Sequence, residues 1–122
     1  MKRFKILLVE DEDLIRGLLS EAMTDDGFDV ISAANGDEAL ELLGTGQRFD
    51  LLLTDIQLPG ELDGLGIAHA ARVHMPDVPI IFTTGQPDRM APWSSGAIDL
   101  FIAKPYRPSD ICAAARRMTG RN

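Results

Sequence analysis

Apolar residues gather in five short runs along this chain, and between the runs they recur at helical spacing. Phe4 to Val9 is the first run, followed at once by Glu10-Asp11-Glu12-Asp13. A short apolar run between polar boundaries marks a strand buried on both faces of a sheet. Leu14, Ile15, Leu18, Leu19, Ala22 and Met23 then fall in pairs about one turn apart, which predicts a helix stopped near Gly27. Val30 to Ala34 is a second strand ended by Asn35-Gly36. Asp37 to Leu43 follows as a short helix with Ala39, Leu40 and Leu43 inward, stopped by Gly44 and Gly46. Leu51 to Leu53 form the third strand, which Asp55 ends and Pro59-Gly60 turns away. A third helix runs from about Leu65 to Val73, and Pro76 and Pro79 punctuate the loop after it. Val78 to Phe82 is the fourth strand, leading into Thr83-Thr84-Gly85. Gln86 to Asp99 lacks periodicity and contains Pro87 and Pro92. Leu100 to Ala103 is the fifth strand and enters Lys104-Pro105. A last helix begins near Ser109 as N-cap, buries Ile111, Ala114, Ala115 and Met118, and stops at Gly120.

Strands alternating with helices predict an α/β domain: a parallel five-stranded sheet of flavodoxin-like order 2-1-3-4-5 with helices on both faces. Residues 1–122 read as one domain, without repeat or linker. In such sheets ligands bind at the carboxyl ends of the strands, at the switch point between the first and third. Glu10, Asp11 and Asp55 should meet there. Taken singly, each strand end has an ordinary reading. Acids suit a helix N-terminus, a threonine can enter a turn, and a lysine can sit solvated in a loop. Their convergence on one sheet edge does not.

The remaining bulk properties narrow the function. The formal charge of −7 argues against nucleic acid as a direct ligand. A single cysteine, Cys112, rules out an intrachain disulfide and points to a reducing compartment. Lys2, Arg3 and Lys5 precede an apolar stretch too short for a signal peptide, and no run is long enough to span a membrane. The expected location is cytoplasmic, with no membrane partner.

Two carboxylates about 4 Å apart repel by roughly 4 kcal/mol at an effective dielectric near 20. The cluster therefore calls for a proton, a lysine or a metal. Hard oxygen donors without nearby His or Cys select Mg²⁺ or Mn²⁺, which favour phosphate as a further ligand. A carboxylate beside such an ion can attack phosphorus, with a lysine and a hydroxyl binding the phosphoryl oxygens.

Four motifs carry a resemblance to the receiver domain of the two-component response-regulator family. Ile6-Leu7-Leu8-Val9-Glu10-Asp11-Glu12 resembles the family's first strand and acidic pair. Thr54-Asp55-Ile56-Gln57-Leu58-Pro59-Gly60 resembles its phosphoacceptor turn, and Pro79-Ile80-Ile81-Phe82-Thr83-Thr84-Gly85 its switch-threonine strand. Phe101-Ile102-Ala103-Lys104-Pro105 resembles its lysine strand. The resemblance implies that Asp55 accepts a phosphoryl group from a phosphohistidine on a sensor histidine kinase or histidine phosphotransfer protein. Asp11, Asp55 and the Gln57 backbone carbonyl would hold the metal, with Glu10 acting through water. The Gln57 side chain is then left free to face the phosphoryl group. Thr84 would be the switch hydroxyl, Lys104 the phosphate-binding cation, and Phe101 the aromatic that follows Thr84. Gln57 and Gln86 would tune phosphoryl lifetime. The Lys104-Pro105 bond is expected to be cis. Such a domain catalyses only its own phosphorylation and dephosphorylation and is not counted as an enzyme; its downstream protein target is not specified by the sequence.

Departures from the family pattern are also visible. Glu10 replaces the commoner Asp, and Glu61-Leu62 lengthens the turn after Pro59 by one residue. The segment after Thr84 is short, and Pro92 suits the first position of a helix of at most two turns after a loop from Gly85 to about Ala91. Trp93 either covers the core or marks a partner patch, while His69, His74 and Cys112 are set aside as surface or packing residues. The alternative function is a phosphorylation-independent scaffold with the same fold. A flavodoxin-like binder or small-molecule phosphatase fits less well, because no Gly-rich loop follows the first strand and no acid lies two residues after Asp55. Met1 and the fit of the motifs to the chain favour a stand-alone regulator over an excised domain.

Overall fold

Every strand of the sheet is five residues long and parallel to its neighbours: β1 (Lys5–Val9), β2 (Asp29–Ala33), β3 (Leu51–Asp55), β4 (Ile80–Thr84) and β5 (Asp99–Ala103). The computed structural model describes residues 3–86 and 99–120. Their order is β2-β1-β3-β4-β5, as expected. Helices α1 (Asp13–Asp25), α2 (Gly36–Gly44), α3 (Gly64–His74) and α4 (Pro108–Thr119) complete the described elements.

Alternate residues of a strand face opposite sides of the sheet, so two cores form. Ile6, Leu8, Leu51, Leu53 and Ile81 pack with residues of α1 and α4, including Leu19, Met23, Ile111 and Ala115. Leu7, Val9, Leu52, Ile80 and Phe82 pack with Ala39, Leu43, Ile67 and Ala71 of α2 and α3. Continuous apolar strands are what two covered faces require. The same alternation continues past the apolar residues and decides which polar side chains share a face.

Several boundaries differ from the expectation for local reasons. Strand β2 stops at Ala33 because the Ala34 N–H donates instead to the Glu38 carboxylate at 2.8 Å. Asn35 then caps α2 by accepting the Glu38 N–H. Val78 belongs to the exit turn of α3, its N–H donating to the Met75 carbonyl, so β4 begins at Ile80. Asp99, expected in the irregular segment, is paired with Ile80 as the first residue of β5. Helix α4 begins at Pro108, with Arg107 rather than Ser109 at the N-cap. Proline fits the first helical position, and the Asp110 carboxylate accepts the Arg107 N–H at 3.0 Å.

Helical periodicity marks a wider apolar stripe than one sheet can cover. Leu40 is 40% exposed instead of inward, and Leu14 and Leu18 of α1 are 75% and 51% exposed. The expected loop and short helix around Pro92, and Trp93 with them, lie outside the described residues.

Helix α3 starts directly beneath the end of β3. A Cβ on Gly64 would lie 2.2 Å from the Asp55 carbonyl oxygen, closer than any side chain can come. The Gly64 N–H donates to the Ile56 carbonyl at 2.9 Å, so the turn carrying Gln57 is closed against the strand. Leu62, in the lengthened part of that turn, seals it against Gly36 of α2 and Gly66 of α3.

Candidate functional site

The strand alternation that buries Ile6 and Leu8, and Leu51 and Leu53, and packs the partly buried Leu100 and Ile102 against them, places Glu10, Asp55 and Lys104 next in line on that same face. Glu10 and Lys104 lie one residue past their strands, yet the ladder extends to both. The Glu10 N–H donates to the Ala33 carbonyl at 3.1 Å, and the Lys104 N–H to the Thr84 carbonyl at 2.7 Å. Their backbones are thus as fixed as a strand's.

Lysine length matters here, because Lys104 must cross β4 to reach β3. Its Nζ lies 2.7 Å from Asp55 Oδ2 and 3.7 Å from Glu10 Oε1. The other Asp55 oxygen accepts the Gln57 N–H at 3.3 Å. Glu10 Oε2 accepts the Glu12 N–H at 3.0 Å. One oxygen each from Glu10, Asp11 and Asp55 lie within 4.8 Å of one another. Glu10 and Asp55 are buried, whereas Asp11 is exposed.

The charges respond to this crowding. Burial, opposed by the Glu12 N–H and Lys104 and assisted by Asp55 and Asp11, raises the Glu10 carboxyl above its usual range. Burial works against the Lys104 charge, but its hydrogen bond to Asp55 and the Asp55, Glu10 and Tyr106 charges outweigh that and raise its pKa. Three close carboxylate oxygens with no imidazole or thiolate fit a hard divalent cation. Lys104, the single ammonium at the cluster among the described residues, already occupies part of that electrostatic role.

Thr84 is fully buried at the end of β4. Its hydroxyl donates to Gln57 Oε1 at 3.0 Å and accepts the Gln86 N–H at 2.9 Å. The Gln57 side chain, expected to be left free, is therefore engaged. In the sheet register it is Thr83, not Thr84, that lies directly across from Asp55. Phe101 is half-buried and stacks on Phe82, its register partner, with ring centroids 4.9 Å apart. The Lys104-Pro105 peptide bond is cis. His69 and His74 are exposed on α3, and burial raises the Cys112 thiol.

Two further residues escaped the sequence reading. Arg16 donates to the Glu10 carbonyl at 2.9 Å and pairs with Asp13, holding the start of α1 against the acidic end of β1. Tyr106 is pushed up to about 12 by burial and then by Glu10, and its hydroxyl has no hydrogen-bond partner among the described residues. It lines an apolar groove of about 270 Å³ with Ile15, Leu18, Leu19, Pro105 and Pro108, directly beside Lys104. Only the fold joins these residues; nothing in their local sequence does.

Residues 6–116 match the family described as the response regulator receiver domain. The chain belongs to that family. It is 35% identical over 124 residues to the transcriptional regulatory protein AruR of Pseudomonas aeruginosa, a match covering 96% of this chain and 50% of that protein. This receiver domain thus spans about half the length of the curated relatives it matches. A solved response regulator receiver protein from Sinorhizobium medicae superposes with a TM-score of 0.89 at 26% identity, covering 98% of this chain and 96% of that one. The receiver domain of sensor histidine kinase PA1611 from Pseudomonas aeruginosa PAO1 was solved with magnesium coordinated in its active-site cleft. It is 30% identical with a TM-score of 0.81, covering 98% of this chain and 99% of that one. The protein is accordingly a receiver domain of two-component response regulators, a phosphoacceptor family. Among its described residues, no helix is long and apolar enough to cross a membrane.

Proposed function

We propose that Asp55 is the phosphoacceptor and that its donor is a phosphohistidine on a sensor histidine kinase or histidine phosphotransfer protein. The observation that carries this reading is the convergence of Lys104 and three carboxylates on the end of β3, with Asp55 held from both oxygens. An Asp55 oxygen would form the new bond to phosphorus as the donor's P–N bond breaks. The released electron pair stays on the imidazole nitrogen, which takes a proton from solvent.

Asp11, Asp55 and the Gln57 carbonyl would hold Mg²⁺, and Glu10 would act on it through water. The likeness to the magnesium-bound PA1611 domain supports that ion. When bound, Mg²⁺ offsets the charge of the acids and of the phosphoryl oxygens. Lys104, released from Asp55, would donate to a phosphoryl oxygen, as would the Thr84 hydroxyl. Phe101 would follow Thr84, and Gln57 and Gln86 would set how readily water reaches the acyl phosphate. The groove beside Lys104, rimmed by exposed Leu18, would offer the histidine-bearing partner an apolar surface. The domain would catalyse only its own modification and pass the change to a protein target.

Incubation with acetyl phosphate and Mg²⁺ should add one phosphoryl group, read by intact mass, and Asp55→Asn should take up none. Equal uptake by Asp55→Asn would remove the assignment.

A further inference from the structure

Gln57 touches both halves of the site. Its backbone N–H donates to Asp55 Oδ1, while its side-chain oxygen accepts the Thr84 hydroxyl proton at 3.0 Å. Thr84 Oγ1 is itself an acceptor for the Gln86 N–H at 2.9 Å. The result is a continuous chain from the Gln86 amide through the Thr84 hydroxyl to the Gln57 amide oxygen.

A hydroxyl has one proton to give. In this arrangement it is committed to Gln57. A phosphoryl group on Asp55 can receive that proton only if the bond to Gln57 is broken. Thr84 is fully buried, so water does not readily replace either partner. Gln57, by contrast, is exposed, and its amide can be rehydrated as soon as it is released.

We infer that the Gln57 side chain is an internal competitor for the Thr84 proton, a positioning residue that holds the switch hydroxyl in its resting arrangement and sets the threshold for its capture by the phosphoryl group. The inference rests on Asp55 being the phosphoacceptor. It assigns Gln57 a role apart from any effect on attacking water, because it acts before and during phosphoryl binding.

The test is a titration of the full chain with trifluoroberyllate, a phosphoryl mimic, in saturating Mg²⁺, followed by fluorine NMR. Gln57→Met keeps the backbone carbonyl and the side-chain length but removes the acceptor. It should bind the mimic roughly two- to tenfold more tightly than wild type, the range expected for one net hydrogen bond. The gain should disappear when Gln57→Met is made in a Thr84→Val background, since no proton is then contested. Unchanged or weaker mimic binding in Gln57→Met overturns the inference, as does a gain that persists undiminished with Thr84→Val. Wild-type binding that survives Asp55→Asn overturns the phosphoacceptor assignment itself, and this inference with it; that outcome is recognisable without the Gln57 variants.

Discussion

Replacing Lys104 with Met keeps a side chain of similar length while removing the one ammonium that, among the described residues, contacts the acid cluster. At an effective dielectric near 20, its attraction to Asp55 at 2.7 Å is about 6 kcal/mol gross, and to Glu10 at 3.7 Å about 4 kcal/mol. Desolvating the charges consumes most of this, and the Lys104 side chain, 26% exposed, is partly screened by water. A net loss of about 2 kcal/mol remains, because Asp55 and Glu10 stay buried without their counter-charge. The same deletion should tighten Mg²⁺ binding, since the ion no longer competes with the ammonium. Urea unfolding with and without Mg²⁺ measures both effects. Without the ion, Lys104→Met should be less stable by about 2 kcal/mol. With it, the variant should recover more stability than wild type gains, by the linkage RT ln(1 + [Mg²⁺]/Kd). Wild-type stability in the absence of Mg²⁺, or an equal Mg²⁺ increment in both proteins, would refute the view that Lys104 serves as the cluster's resting counter-ion.

Gly64→Ala puts a methyl group 2.2 Å from the Asp55 carbonyl oxygen, and both atoms belong to rigid elements. It should cost about 2–3 kcal/mol in urea unfolding, and a loss below about 0.5 kcal/mol would show that the α3 start can shift freely. pH should act through Glu10 and Lys104, whose native pKa values are both raised above their usual 4.5 and 10.5. The native state then holds the Glu10 proton more tightly than the unfolded chain does, so stability falls as pH rises from 4.5 through the raised value. Lys104 stabilisation is fully present below 10.5 and is lost as pH rises through its own raised value. Affinity for Mg²⁺ should begin to fall on acidification while the pH is still above the ordinary carboxylate range; affinity constant down to pH 4.5 by calorimetry would contradict this.

The sheet order was readable in the chain because β1, β3, β4 and β5 each carry an apolar run that leads into a chemically distinctive residue. Buried parallel strands leave few other arrangements for Leu51-Leu52-Leu53 or Ile80-Ile81-Phe82. Glu10, Asp55 and Lys104 share one face for the same reason, as the next inward positions on their strands. Leu40 misled, and Leu14 and Leu18 stay exposed on a correctly expected helix, because periodicity reports which face is apolar, not how much of it a sheet and one neighbouring helix can cover. The Thr84–Gln57 bond joins residues 27 apart, with geometry set by the turn that Gly64 and Leu62 close. No local pattern encodes it. Arg16 and Tyr106 are of the same kind, ordinary helix and loop residues until α1 and the end of β5 come together around Glu10.

Asp55 as phosphoacceptor requires that phosphorus be received by its carboxylate and by no other side chain. The direct measurement is to phosphorylate the protein with acetyl phosphate and Mg²⁺, reduce the acyl phosphate with borohydride, and map the peptides by mass spectrometry. Reduction converts an aspartyl phosphate to homoserine and leaves free carboxylates untouched. Homoserine at position 55 alone is the predicted result. Homoserine at position 11, or phosphate retained on a serine, threonine or histidine with position 55 unmodified, would contradict the assignment of Asp55.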